Sequence, residues 1–165
     1  DLAQAYLRCL DRRLAETPGK RALPGVVDLL DRLAGVSEAS VGLLTGNIEA
    51  GARRKLASVD LAGYFDLGGF GGDAPDRAGI GKVARLCFEA KLNRLIAPAD
   101  VVVIGDSTED VRSAKANGYR TLAVGTGWTP WEAILAQAPD LFMEDLSDCG
   151  RAMQFIFGTR GRSEG

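Results

Sequence analysis

The chain has 165 residues, enough to bury one hydrophobic core and too few for two large domains. Hydrophobic residues make up 46% and charged residues 25%, and 20 basic against 22 acidic side chains leave a formal charge of −2, which excludes disordered, fibrous and strongly basic classes. The sequence contains no histidine, which excludes Ser-His and Cys-His nucleophile pairs and histidine-bound zinc, so any chemistry must come from carboxylates, hydroxyls and cations.

Helical patterns surround one short apolar run in the first half of the chain. The predicted helices cover residues 1–14, 26–33, 49–59 and 82–91, with a glycine-dense segment through Gly72 and a loop over 73–81 before the last of them. The apolar run over 41–44 ends at Thr45, Gly46 and Asn47. A short apolar run that stops at a turn predicts a buried strand.

The second half repeats the alternation of strand and helix more strongly. The predicted elements are a strand over 101–104, a helix over 110–117, a strand over 120–124, a helix over 130–136 and an edge strand near 141–142. Such alternation predicts an α/β fold with a mostly parallel sheet and helices on both faces. Ligands of such sheets bind at the carboxyl ends of the strands. We therefore expect 45–47, 106–110 and 125–128 to share one rim.

Two carboxylates follow the strongest predicted strand, at Asp106 and Asp110. Spaced by four residues, they can face the same small volume, and Mg²⁺ prefers a few carboxylates together with water and phosphate oxygens. An alternative remains open, because Ser107 and Thr108 are also good helix caps and Asp110 can serve as a first-turn charge that complements the helix dipole.

Hydroxyl, backbone and basic groups complete the set of candidate site residues. Thr45, Gly46 and Asn47 precede a predicted helix, so a hydroxyl and unpaired backbone N–H groups can converge on a phosphate there, although the tripeptide is also a common turn. A pocket of carboxylates and phosphate needs a cation to offset repulsion. Arg77 and Lys82 are the two candidates, since both lie in the sequence between the strand that precedes Thr45 and the strand that precedes Asp106.

These motifs together resemble those of the haloacid dehalogenase-like (HAD-like) hydrolase superfamily, in its phosphoglycolate phosphatase-like branch. The resemblance covers about residues 23–148 and includes LPGVVDLLDRL, LLTGN, GYFDLGGFGGDAPDR, VVVIGDSTEDV, KANGYRTLAVGTG and PDLFMEDLSD. It implies a Rossmann-like core in which Thr45, Gly46 and Asn47 form the second motif and bind the phosphoryl group.

The resemblance also implies roles for the acidic and basic candidates. Asp106 corresponds to the Mg²⁺ ligand of the fourth motif, with Asp110 assisting. Arg77 matches the basic residue of the third motif better than Lys82, by its spacing to the following helix. Arginine in place of the usual lysine keeps the charge and changes the geometry.

The sequence departs from the family pattern in its first motif. Members begin with a strand that ends in Asp-x-Asp-x-Thr and carries the nucleophile, and no such motif occurs in these 165 residues. Most of the helical cap is missing as well. We expect residues 1–19 to be a cap remnant, 20–157 a HAD-like core and 158–165 a disordered tail. Loss of the first strand would leave two inner strands unpaired, so we expect the chain to be part of a longer enzyme.

The predicted function is a magnesium-dependent phosphatase for a small phosphorylated metabolite, acting through an aspartyl-phosphate whose nucleophile this chain does not supply. A non-catalytic phosphate- or metal-binding or interaction domain and a dehalogenase-type hydrolase are the alternatives. We expect no nucleic-acid partner, because the formal charge is only −2 and basic residues form no large cluster. We also expect a cytoplasmic protein with no membrane partner, because no signal pattern or apolar run of about 20 residues is present. Unpaired strands predict a homo-oligomer or a domain-swapped dimer.

Overall fold

The structure is a computed structural model that describes residues 1–17 and 19–158. The helices, α1 to α7, are Leu2–Ala15, Val26–Ala34, Glu49–Ala57, Arg77–Leu92, Thr108–Ala116, Trp131–Leu135 and Cys149–Phe157. The strands, β1 to β5, are Gly42–Leu44, Leu67–Gly69, Val102–Gly105, Arg120–Val124 and Leu141–Met143. Two short 3₁₀ helices cover Ala62–Tyr64 and Pro98–Asp100. In the described part of the chain, no helix has both the length and the apolar character needed to cross a membrane.

The described chain forms two compact units. The first unit comprises Asp1–Ala22 and Ser37–Asn93, and the second comprises Leu23–Val36 and the described residues from Arg94 onward. These units do not follow the predicted boundaries of a cap remnant over 1–19 and a core over 20–157, which stay a prediction. The predicted tail lies outside the described residues from position 159 onward.

Each unit contains its own parallel sheet, which confirms the predicted α/β class. In the first unit β1 pairs with β2, with Gly42 opposite Leu67. In the second unit the strand order is β3-β4-β5, and all three strands run parallel. Among the described residues β1 pairs only with β2 and β3 only with β4, so each of these strands has one edge without a strand partner. The same holds for β2 and β5, the other end strands of the two sheets, so the missing first strand stays a prediction.

The core of the second unit lies around β4 and is mainly apolar, with Thr121 of β4 as a buried polar side chain. Val111 of α5 and Ile134 of α6 pack with Ala123 of β4, and Phe142 of β5 lies against this cluster. Side chains of a strand alternate between its two faces, so Leu122, which is 0% exposed, is buried on the opposite face. Burying one side chain of this size stabilises a fold by about 1.5–3 kcal/mol. On the same unit α2 and α7 pack against each other.

In the first unit, glycine allows a helix to pack closely on a strand, and a surface ion pair joins two helices. A Cβ on Gly69 would lie 2.5 Å from the carbonyl oxygen of Ile80, so α4 packs directly on β2 because that position is glycine. Helix α1 packs on α3, and Arg54 of α3 pairs with Asp11 of α1 at 2.8 Å.

The predicted elements differ from the structure at three places. Helix α4 begins at Arg77, five residues before the predicted start, because the Asp76 side chain caps it by accepting a hydrogen bond from Gly79 N at 2.7 Å. Strand β2 and helix α7 were not predicted. Most other predicted elements lie within two residues of the observed ones, and the strand over 120–124 is confirmed without change.

Candidate phosphate and metal site

The turn after β1 presents a hydroxyl donor. Thr45 N donates to Gly69 O at 3.0 Å, which extends the pairing with β2 and fixes the turn. Thr45 Oγ1 accepts hydrogen bonds from the backbone N and the side-chain Nδ2 of Asn47, at 3.1 and 3.0 Å. A hydroxyl has two acceptor lone pairs and one donor hydrogen. Both lone pairs are used, and the hydrogen meets no acceptor among the described residues, so it can donate to a bound anion.

A glycine brings a second loop onto this turn. Gly71 N donates to Asn47 O at 2.9 Å, and a Cβ on Gly71 would lie 2.0 Å from the carbonyl oxygen of Gly46. No other residue type can approach the turn so closely. Helix α3 starts two residues after Asn47, and its N-cap, Ile48, offers no side-chain cap to the first N–H groups. The turn therefore has the hydroxyl and helix terminus that favour an anion.

The two basic candidates differ in position. Arg77 Nη1 lies 3.9 Å from the place where a Cβ on Gly46 would be, so the guanidinium is next to the turn. Lys82 is exposed on the same helix, five residues later, which corresponds to roughly 140° around the helix axis. The structure brings Arg77, but not Lys82, to the turn formed by Thr45, Gly46 and Asn47, which we call the phosphate turn. The catalytic role of either residue stays a prediction.

A capping box holds the turn that carries Asp106. Ser107 Oγ accepts from Asp110 N at 3.2 Å, and Asp110 Oδ2 accepts from Ser107 N and Asp106 N, both at 3.1 Å. Asp110 Oδ2 also accepts from Ser107 Oγ at 2.7 Å, and the residue is only 5% exposed. These bonds show Asp110 capping α5 and fixing the backbone of Asp106. A direct role of Asp110 in binding metal stays a prediction.

The loop after β4 lies against Asp106. A Cβ on Gly127 would lie 2.5 Å from Asp106 Oδ2, so this position must be glycine for the carboxylate to keep its place. The predicted meeting of 106–110 and 125–128 at one rim is thereby confirmed within the second unit. Trp131 Nε1 donates to Gly125 O at 2.9 Å and steadies the loop, whereas Trp128 is fully exposed.

The donors around Asp106 fit part of a magnesium site. Mg²⁺ is usually bound by one or two carboxylates, with water and substrate phosphate oxygens as further ligands. Asp106 fits as one such ligand, and its carboxylate is only partly buried. In the described ranges, no group of three or more Asp, Glu, Cys or His residues is arranged to hold a metal. A magnesium ion bound by Asp106 would take further ligands from water and phosphate oxygens.

The candidate residues fall into two sets, one in each unit. The phosphate set, Thr45, Gly46, Asn47 and Arg77, belongs to the first unit, and Asp106 and Asp110 belong to the second. No pattern in the sequence indicates that Lys55 and Tyr6 contact Asn47, because Lys55 follows it by 8 positions and Tyr6 precedes it by 41.

The sequence is similar to known proteins of one family. A family model described as HAD-hydrolase-like matches residues 79–149. A phosphoglycolate phosphatase from Salmonella choleraesuis is 29% identical over 130 residues, which cover 79% of this chain and 50% of that protein. Phosphoglycolate phosphatase 1 from Pseudomonas aeruginosa is 32% identical over 130 residues, which cover 76% of this chain and 44% of that protein. The chain thus spans about half the length of the curated relatives it matches.

A solved structure shows the same fold. A haloacid dehalogenase-like family hydrolase from Streptococcus pneumoniae superposes with a TM-score of 0.69 at 22% identity, covering 80% of this chain and 60% of that one. The family model, the curated relatives and the shared fold confirm the resemblance seen in the motifs. The chain is thus similar to the HAD-like hydrolase superfamily, in its phosphoglycolate phosphatase-like branch, by a family model over residues 79–149 and by relatives of which it covers about half.

Proposed function

We propose that this chain supplies the phosphate-binding and metal-binding sides of a magnesium-dependent phosphatase that acts on a small phosphomonoester. The observation that carries the proposal is the Thr45 hydroxyl, whose two lone pairs are occupied by Asn47 and whose hydrogen remains available to an anion. The Arg77 guanidinium beside Gly46 adds the positive charge that a phosphoryl group needs.

The reaction divides between this chain and a nucleophile from outside it. A carboxylate oxygen of an aspartate that this chain does not contain attacks phosphorus, and the bond between phosphorus and the leaving oxygen breaks. The leaving oxygen takes a proton from water and departs as an alcohol. Water then attacks the aspartyl-phosphate, which releases phosphate and restores the carboxylate. Throughout, Thr45 and Arg77 hold the phosphoryl oxygens as their charge changes. Asp106 would hold the magnesium ion, which when bound offsets the charge of the phosphoryl oxygens.

The names of the relatives suggest the first substrate to test. Several curated relatives are phosphoglycolate phosphatases, and each is matched over only part of its length. Phosphoglycolate is therefore the first member of a panel of small phosphomonoesters, which should also include phosphorylated sugars.

A second candidate is a non-catalytic domain that binds phosphate or metal, or that acts as an interaction module. It is favoured by one observation, the absence of Asp-x-Asp-x-Thr from the sequence. Both candidate functions use the Thr45 turn to bind phosphate. Only the phosphatase also needs a nucleophile, so the presence of a nucleophile distinguishes them. Dehalogenase chemistry has less support, since the Thr45 and Arg77 arrangement suits a phosphoryl group.

The test measures phosphate release with Mg²⁺ by the 165-residue chain and by the product of the longest open reading frame that contains it. We expect the chain alone to bind inorganic phosphate without turnover and the longer product to release phosphate. In the longer product, Thr45→Val should lower kcat/KM by about 100-fold, the size typical for loss of one positioned donor. Thr17→Val is the matched control, because the Thr17 hydroxyl only donates to Arg13 O at the end of α1. Absence of phosphate release by the longer product across the panel would favour the binding domain.

A further inference from the structure

A hydrogen-bond chain connects an ammonium group to the Thr45 hydroxyl. Lys55 Nζ donates to Asn47 Oδ1 at 3.0 Å, and the Nδ2 of the same amide donates to Thr45 Oγ1 at 3.0 Å. Tyr6 OH lies 3.4 Å from Asn47 Oδ1 and is a second, longer donor to it. The Asn47 amide therefore lies between a cation on one side and the anion-binding hydroxyl on the other.

The packing of two helices builds this cluster. Lys55 and Gly51 lie four residues apart on α3, so they share one face of that helix. A Cβ on Gly51 would lie 2.8 Å from Tyr6 Cε1, and the glycine thus lets the α1 tyrosine reach the turn. Lys55 differs from its neighbours in charge pairing. Arg53 pairs with Glu49 and Arg54 with Asp11, whereas in the described part of the chain no carboxylate lies within 4.0 Å of the Lys55 ammonium.

We propose that Lys55 is a positioning residue for phosphate binding, acting through the orientation of the Asn47 amide. A cation selects the oxygen end of an amide, so Lys55 holds Oδ1 toward itself and Nδ2 toward Thr45. A flipped amide would place Oδ1 next to Thr45 Oγ1, where it would accept the hydroxyl hydrogen that the bound phosphate needs. Lys55 thus keeps the Thr45 hydroxyl directed at the anion.

Polarisation along the chain acts in the same direction. Hydrogen bonds in a series strengthen one another, so an ammonium on Oδ1 makes the Nδ2–H groups better donors to Thr45. The oxygen of Thr45 is then more fully engaged as an acceptor, and its hydrogen is a better donor to phosphate. The contribution of Tyr6 is smaller, because its distance of 3.4 Å is long for an O–H donor and it carries no charge. This inference rests on the proposed role of Thr45 as a phosphoryl ligand.

The experiment titrates the whole chain with inorganic phosphate and follows the backbone amides of Thr45 and Gly46 and the side-chain amide of Asn47 by NMR. We expect Lys55→Met to raise the Kd for phosphate about tenfold, the size of one hydrogen bond involving a charged group. Lys55→Arg should restore binding to within about twofold of the wild type, because it keeps the charge at the amide oxygen. Tyr6→Phe should raise the Kd by only about two- to threefold, as for a weak neutral bond.

Lys20→Met is the matched control, since it removes one exposed ammonium from the same unit without touching the turn. It should leave the Kd within about twofold of the wild type, as expected for a screened surface charge. Thermal melting of each variant separates loss of binding from loss of folding. If Lys55→Met unfolds the chain, Lys55→Gln provides the same comparison with a polar side chain.

The possible results separate this inference from the proposed function. Wild-type affinity in a folded Lys55→Met variant, or equal losses in Lys55→Met and Lys20→Met, would overturn the role of Lys55 and leave phosphate binding by Thr45 in place. Absence of phosphate-dependent shifts at Thr45 and Gly46 in the wild-type chain would contradict the proposed function together with the inference.

Discussion

The two units hold their functional groups in different ways. In the second unit, Asp106 is positioned by a capping box that spans only residues 106–110 and by Gly127 of the next loop. In the first unit, Thr45 is positioned through Asn47, whose amide contacts Tyr6 and Lys55 on two different helices. The position of Asp106, the carboxylate side of the site, thus depends mainly on residues close to it in sequence. The position of Thr45, the phosphate side, depends on the packing of α1 against α3.

The two units also differ in their cores. The second unit contains most of the deeply buried apolar residues, including Leu122 and Ile134, which are 0% exposed. The first unit is less completely buried, and its α1–α3 contact includes an ion pair whose two side chains are 41% and 55% exposed. Exposed ion pairs contribute only about 0–1 kcal/mol. We therefore expect the phosphate side to be perturbed more easily than the carboxylate side.

One glycine in each unit gives the strongest test of this difference. Gly71→Ala would place a Cβ 2.0 Å from Gly46 O, and Gly127→Ala would place one 2.5 Å from Asp106 Oδ2. The Gly71 clash is with backbone, so the phosphate turn itself must move, whereas the Asp106 carboxylate can partly rotate away. We expect a loss of about 1–3 kcal/mol of stability for each, at the upper end for Gly71→Ala.

Ligand titration shows whether each effect stays within its own unit. Gly71→Ala should weaken inorganic phosphate binding and leave Mn²⁺-induced broadening of amides near Asp106 unchanged, and Gly127→Ala should do the reverse. Gly72→Ala is the control, because nothing lies within 4 Å of the added Cβ. Wild-type phosphate binding by Gly71→Ala would contradict the close approach of the two loops.

The two basic candidates of α4 provide the next comparison. Arg77→Met should raise the Kd for phosphate about tenfold, because it removes a guanidinium beside Gly46 that can contribute a charge-assisted hydrogen bond. Lys82→Met removes an exposed charge on another face of the same helix and should change the Kd by less than about twofold. Isothermal titration with inorganic phosphate measures both. A larger loss in Lys82→Met would reverse the assignment of the third-motif cation.

The sequence predicted the second unit better than the first because its signals are local. The strand over 120–124 ends in the apolar run 122–124 and lies between Gly118 and Gly125. The segment from Asp106 to Asp110 contains both the helix cap and the carboxylates. Strand β2 has no comparable signal. Two of its three residues are glycine, and a Cβ on Gly68 would lie 2.5 Å from Leu43 O, so the contact that requires glycine also removes the usual strand pattern.

The sequence analysis also did not predict the start of α4 or the contacts of Asn47. Pro75, Gly79 and Gly81 around the first turn of α4 suggest a loop, although Asp76 caps a helix there. The hydrogen bond between Tyr6 and Asn47 joins positions 41 apart, and no local pattern reports a contact that tertiary packing creates. Sequence therefore predicted the residues of the candidate site and missed those that hold the phosphate turn.

The smallest expected effect is the loss of folding stability of the second unit at low pH, through Asp140. Asp140 accepts hydrogen bonds from Thr121 N at 2.7 Å and Thr121 Oγ1 at 2.8 Å, just before β5. Burial acts to raise the pKa of Asp140, but the hydrogen bonds from Thr121, together with the charge of Lys115, outweigh it and hold that pKa below its usual value. The ionised carboxylate therefore stabilises the fold above roughly pH 4, the usual range for aspartate, and this contribution is lost as the pH falls through the lowered pKa.

Asp140→Asn should cost somewhat less than about 1 kcal/mol near pH 7, because the difference between a charged and a neutral hydrogen-bond acceptor is weakened by solvent at this exposed residue. Urea unfolding at a series of pH values should show the gap from the wild type shrinking as the pH is lowered below about 4, because both proteins then carry a neutral group at this position. Asp66→Asn in the first unit is the control, since Asp66 pairs with Lys91 at 3.2 Å but is 81% exposed, and its removal should cost less than about 0.5 kcal/mol. Equal costs for the two variants, or a gap for Asp140→Asn that does not change with pH, would show that the second unit does not depend on this carboxylate in its ionised form.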